Sequence, residues 1–218
     1  MHLGRSKVVT LAVVAGLSLL GIAMVDGKEK MNGVLHSVFV GLLASSVFYA
    51  GTVAIPEFQR RRRIRTSLRR QYRSFKNSCI GLFLIASNSQ EYDNRDNLLE
   101  PAEFRRYFSN RINESQSRWD LVATAIDDGK YLFEELVWEF ESLIREINYA
   151  RSSVDIHDDE AQEFFSRTID IVHRLKATKP GTDDYKYFCR NLWGIFARWD
   201  SAMGQREDDI IETMIERI

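Results

Sequence analysis

Two pairs in this chain set a guanidinium near an imidazole. Arg151 precedes His157, and Arg167 precedes His173, each with five residues between. An imidazole that titrates near neutrality can move a proton while a neighbouring guanidinium holds a phosphate, which is the requirement for phosphodiester cleavage. The spacing works against it. Six residues of regular helix turn through about 600°, so Arg167 and His173 leave different faces. The carboxylate pairs Asp127-Asp128, Asp158-Asp159, Asp183-Asp184 and Asp208-Asp209 each fall at a helix start or in a turn. There a carboxylate accepts orphan backbone N–H groups and suits the helix dipole, so capping is the reading and not metal binding. Cys79 and Cys189 have no CxxC spacing and no His nearby, and read as small apolar core residues. Glycine-rich phosphate loops, zinc spacings and nucleophile elbows are missing from the sequence. The chain is therefore expected to be no enzyme and to carry no cofactor and no metal.

What positions these residues is set by apolar runs and segregated charge. Residues 8–25 hold no charge, and a second apolar run covers 34–55. At 1.5 Å per residue an 18-residue run reaches roughly 27 Å, close to the hydrocarbon thickness of a bilayer. Two such runs a few residues apart predict a helical hairpin and not a cleaved leader. Next comes Arg60, Arg61, Arg62, Arg63, Arg65, Arg69, Arg70, Arg73 and Lys76, nine basic residues in seventeen with no acid among them. Such a block holds its end of a span on the cytoplasmic side and contacts anionic headgroups. With Arg5 and Lys7 at the other end, both termini are expected in the cytoplasm of a bacterial inner-membrane protein.

The spans carry small-residue faces, Ala12 with Gly16 and Ser37 with Gly41 and Ser45. These predict close packing of the hairpin, and also offer a route to a homo-oligomer within the bilayer. His36 is the one ionisable group inside a span; it lacks a charged partner there, so proton transport is not assigned to it.

Beyond the spans the charge reverses. Residues 77–218 hold 17 basic and 28 acidic residues, a net of −11. So acidic a region does not bind a phosphate backbone directly; its electrostatic partners are basic proteins. Ile64, Leu68, Tyr72, Phe75, Cys79, Leu82 and Ala86 recur at helical spacing and predict a basic amphipathic neck helix over 56–90, with a break or a fresh start at Pro56. Residues 87–99 read as a loop. Over 91–218 the pattern predicts an all-α antiparallel bundle. One helix opened by Pro101 runs through Phe104, Phe108, Ile112, Ser115, Trp119, Val122 and Ile126. Another carries Leu136, Phe140, Leu143 and Ile147. A third, capped by Asp158 or Asp159, uses Phe164, Phe165, Ile169, Val172 and Leu175. A fourth presents Tyr185, Phe188, Leu192, Phe196, Trp199 and Met203. Trp119, Trp138, Trp193 and Trp199 supply core area, and the short piece 206–218 must dock to hold its shape.

Two resemblances bear on these residues. The Arg-x5-His pairs resemble those of helical ribonucleases of the HEPN type, which implies RNA cleavage by Arg167 with His173 or Arg151 with His157. Ser152 and Thr168 depart from that pattern, standing where Asn or His is common after the Arg. The layout as a whole, two spans, a basic neck and an acidic helical bundle, resembles the two-transmembrane effectors of bacterial anti-phage systems encoded beside retron reverse transcriptases. That resemblance implies a membrane-active effector held silent by a reverse transcriptase and its nucleic acid, or another basic sensor, and released on infection to arrest growth. A membrane-anchored scaffold or signalling subunit fits the same layout.

Overall fold

Proline inside a helix removes one N–H and drives its ring into the carbonyl four residues back. The computed structural model, which describes residues 13, 14, 16–18, 20, 32–177, 183–200 and 204–218, shows how this chain absorbs that conflict at Pro56. Helix α1, Asn32–Tyr49, passes into a π-helical turn, Ala50–Ala54, and then directly into α2, Ile55–Ala86. In the widened turn the N–H of Ile55 donates to the carbonyl of Ala50, five residues back. Thr52, whose own carbonyl would receive the missing N–H, donates its hydroxyl to the Phe48 carbonyl at 2.7 Å. The extra residue per turn relieves the proline clash without ending the helix. Neither a break nor a fresh helix start occurs at Pro56.

Two compact units divide the chain, Met1–Ile64 and Arg65–Ile218. Among the described residues one helix, His36–Ala86, is long and apolar enough to cross a membrane, and only 6% of its apolar window is buried. Val13, Val14, Gly16, Leu17, Ser18 and Leu20 are helical, while Ala12 and the rest of the expected first span lie outside the described residues. A Cβ added to Gly16 or Gly41 would meet no atom within 4 Å, and Ser37, Gly41 and Ser45 are exposed.

In the second unit α2 forms the central helix of a helical bundle. Its expected stripe is buried at Leu68, Tyr72, Phe75 and Cys79, and continues through Ile80, Phe83 and Leu84. Leu82 and Ala86 are only half-buried. The boundary between the units thus falls inside the segment expected as a neck. Phe83 sits among four aromatic rings, with centroids at 6.2 Å for Phe104, 6.1 Å for Phe108, 5.4 Å for Trp119 and 5.1 Å for Phe196. Phe75 meets Phe140 edge-on at 4.6 Å. Both cysteines are free and buried, as their surroundings in the sequence predict.

The helix expected from Pro101 through Ile126 is two helices. α3, Pro101–Ser109, stops, and α4, Arg118–Asp128, starts after a tight excursion closed by an isolated bridge between Arg111 and Ser117. Ser117 forces the restart: its hydroxyl accepts from the Asp120 N–H at 3.2 Å while Asp120 accepts from the Ser117 N–H at 2.7 Å. This reciprocal capping box satisfies two orphan donors, and the Ser117 N–H and hydroxyl, both donating to the carboxylate, lower the Asp120 pKa. Ile112 and Ser115, placed on the apolar face by spacing alone, lie exposed in the excursion. Asp127 and Asp128 end α4 and do not start a helix.

Gly129 then joins α4 to α5, Lys130–Ser153, with no intervening loop. A Cβ there would stand 2.6 Å from the Ala125 carbonyl oxygen, a backbone atom that cannot step aside. Gly129→Ala is therefore expected to cost about 1–3 kcal/mol by overpacking, seen as a lowered unfolding midpoint. An unchanged midpoint would mean that the turn yields.

The remaining elements follow in order. α6 spans Asp159–Ala177 and α7 spans Asp183–Phe196. Asp158 caps α6, its carboxylate accepting from the Ala161 N–H at 2.9 Å. α7 ends at Phe196, so Trp199 does not extend its face. It lies in β1, Trp199–Asp200, paired antiparallel with β2, Gly204–Gln205. Met203 lies outside the described residues. Trp138 and Trp199 are 54% and 46% exposed, so only Trp119 and Trp193 contribute the expected core area. The loop after α2 contains a 3-10 helix, Arg95–Leu99, that plugs Leu98 into the core. Last comes α8, Ile210–Glu216. The tail does dock, burying Ile211, Met214, Ile215 and Ile218.

Candidate functional site

The basic block of the sequence divides by helical face. Arg60, Arg62, Arg63, Arg70 and Arg73 are exposed, while Arg61 is half-buried and donates to Glu57 at 2.8 Å, one turn earlier. Arg65 is also half-buried. The other two cations of the block pair with the C-terminal segment. Arg69 pairs with Glu216 at 3.2 Å and with Glu212 at 3.6 Å. Lys76 is only 7% exposed, and its Nζ lies 3.4 Å from the Asp209 carboxylate.

Between them stands Tyr72. Its hydroxyl donates to the Asp209 carboxylate, 2.9 Å from either oxygen. The Lys76 ammonium lies 5.5 Å from the centre of the Tyr72 ring. Asp209 also caps α8, accepting from the N–H groups of Ile211 at 3.2 Å and Glu212 at 3.3 Å. One buried carboxylate thus has three neutral donors and a cation around it, which is how a buried charge is held without a large desolvation penalty. Burial, and then the Asp209 charge, push the Tyr72 pKa well above its ordinary value. A raised pKa means that this contribution to stability is complete below the unfolded-state value. It is lost progressively as pH rises from that value through the folded one.

Position explains the arrangement. Arg69, Tyr72 and Lys76 are spaced i, i+3 and i+7, so they form one row on α2. Asp209, Glu212 and Glu216 repeat that spacing, and the two rows meet in opposite directions, 69 against 216 and 76 against 209. Sequence reasoning treated Lys76 and Arg69 as lipid contacts and Asp209 as a cap alone. The shared spacing was the signal that pairs them.

Arg167 is engaged by Glu163, one turn before it, and both Arg167 and His173 are exposed positions six residues apart on α6. Arg151 is half-buried near the end of α5, and His157 holds its Nδ1 3.1 Å from the Asp155 carboxylate. Among the described residues no cluster of His, Cys, Asp or Glu could hold a metal ion. The Cys189 thiol, with its pKa pushed up to about 11 chiefly by burial, is no nucleophile near neutral pH. What the geometry offers is helix-to-helix recognition between a cationic row and an acidic one.

Compared with known proteins, the chain matches no protein family, no curated protein and no solved structure.

Proposed function

We propose that this protein is a non-enzymatic inner-membrane effector whose cytoplasmic bundle controls its membrane segment. The observation that carries the reading is the helix His36–Ala86. Its first part is exposed and apolar, and its last part is the buried centre of the bundle. A single helix with that division of surfaces suits a protein that must report the state of a folded domain to a bilayer. The exposed Arg60, Arg62 and Arg63, just past the apolar stretch, suit anionic headgroups, each contributing on the order of 1 kcal/mol.

In the fuller form of the proposal the chain crosses twice, as a hairpin of residues 8–25 and 34–55 with both termini in the cytoplasm. The acidic bundle docks a basic partner, a reverse transcriptase with its nucleic acid or a comparable sensor, which holds the effector silent. On infection the partner lets go, the spans assemble into a homo-oligomer, the membrane is perturbed and growth stops. The resemblance to retron-associated effectors and the net charge of −11 over 77–218 support this form.

Expressing the full chain without any partner, with a potential-sensitive dye in the culture, tests it. Depolarisation and loss of viability are expected. Unchanged potential and growth, with the chain present in the membrane fraction, would favour a scaffold or signalling subunit instead.

A further inference from the structure

The element holding the α2 row is the least self-sufficient piece of the bundle. α8 has seven residues, too few to persist as a helix in water, so the segment is either docked or unfolded. Outside the Asp209 cluster it makes ion pairs at or near the surface. Arg69 pairs with Glu212 and Glu216, and Arg217 with Glu160 and, at 3.7 Å, with Asp158. Such pairs are weak individually and are screened by salt. Among the described residues, the stretch that joins the segment to α7 holds two two-residue strands, with Arg198 and Gly204 at positive φ (50° and 75°).

Departure changes what α2 presents. Arg69, Tyr72 and Lys76 would lose their partners, and Leu68 beside them, 1% exposed when the bundle is closed, belongs to the same helix face. That surface is already shown to accept one kind of ligand: an amphipathic helix with carboxylates at i, i+3 and i+7 and apolar residues between. A second copy of this chain supplies that ligand in its own residues 209–218.

We propose that residues 209–218 are a releasable latch over the cationic row of α2, and that a released row captures the same segment of a second copy. Tethering sets the balance. A cis segment on a short linker acts at an effective concentration in the millimolar range, so it excludes a free competitor at micromolar concentration until its own anchors weaken. The latch belongs to the unit Arg65–Ile218 and holds whichever way the apolar helix is used.

Two measurements on the full chain in detergent micelles test this. By hydrogen exchange, the amides of residues 210–218 are expected to exchange faster than the core amides of α5 and α6. They should quicken by roughly five-fold in Glu212→Gln/Glu216→Gln, as for the loss of exposed pairs, with α5 and α6 unchanged. Equal rates in all three helices, or a variant that speeds all of them together, would make α8 an integral core helix and overturn the latch. The second probe is a fluorescent peptide of residues 206–218. It should bind the double variant about five-fold more tightly than the unaltered chain, and Asp209→Asn in the peptide should abolish binding. Equal binding to both chains, or binding to neither, would overturn capture in trans. If the double variant is unfolded by circular dichroism, raising salt on the unaltered chain replaces it. Faster exchange confined to 210–218 is then expected, and its absence counts against the latch.

Discussion

Replacing Phe83 with alanine should lower the stability of the bundle by about 3–5 kcal/mol, the range for a fully buried aromatic. Phe83 has no exposed surface, and its ring is ringed in turn by Phe104, Phe108, Trp119 and Phe196. Those four belong to α3, α4 and α7, so the cavity left behind is walled by three separate helices. Collapse into it would require all of them to move, and unrelaxed cavities are the costly kind. Denaturant unfolding of the full chain in micelles, followed by tryptophan fluorescence, reads the effect, since Trp119 lines the site. Phe58→Ala is the matched comparison. Phe58 is 64% exposed, and in water its loss stays within about 0.5 kcal/mol. Equal losses for the two variants would show that Phe83 is not the hub of the core.

Asp209→Ala should be of similar size, about 3–5 kcal/mol, for a different reason. The substitution leaves the Lys76 ammonium buried without its counter-charge, the Tyr72 hydroxyl without its acceptor and the first turn of α8 uncapped. The penalty is for stranded groups more than for the pair itself. The three partners should therefore rank. Tyr72→Phe removes one hydrogen bond and costs about 1–3 kcal/mol. Lys76→Met costs less than Asp209→Ala, because the carboxylate keeps the Tyr72 hydroxyl and two backbone donors. Lys76→Met combined with Asp209→Asn should recover much of the loss, since no unpaired charge remains buried. Were the double variant as unstable as Asp209→Ala alone, the electrostatic account would fail. The pH dependence has a definite sign. With the Tyr72 pKa raised by burial and by Asp209, docking of α8 is unaffected by moderate alkali. It is lost only as pH climbs past the ordinary tyrosine value. Phenolate absorbance from Tyr72 should appear together with that loss.

Local rules accounted for much of the bundle. The stripe from Leu68 to Cys79 is buried because apolar residues at helical spacing share a face, and that needs no knowledge of neighbours. The tail was expected to dock because a piece as short as 206–218 cannot hold a helix alone, and its apolar side is buried. Where local rules failed, two signals competed. Phe104 to Ile126 keeps an apolar period right through Ile112 and Ser115, yet Ser117 and Asp120 form a cap, and the cap wins. Trp138 and Trp199 are large and apolar enough for a core, but their helix phase or strand position leaves them exposed.

The sequence by itself determined the all-helical class, the apolar helix over 34–55 and the charge reversal after Lys76, because each is a sum over neighbouring residues. It also determined that Pro56 must disturb a helix, though not how. Only the tertiary structure decided that a π-helical turn carries the helix past Pro56, since the chain could equally have broken there. Only the tertiary structure took Lys76 and Arg69 from the lipid-facing set and gave them to Asp209, Glu212 and Glu216, more than 130 residues away. A charge row states what it will pair with in kind; which row it meets depends on how the helices between them pack.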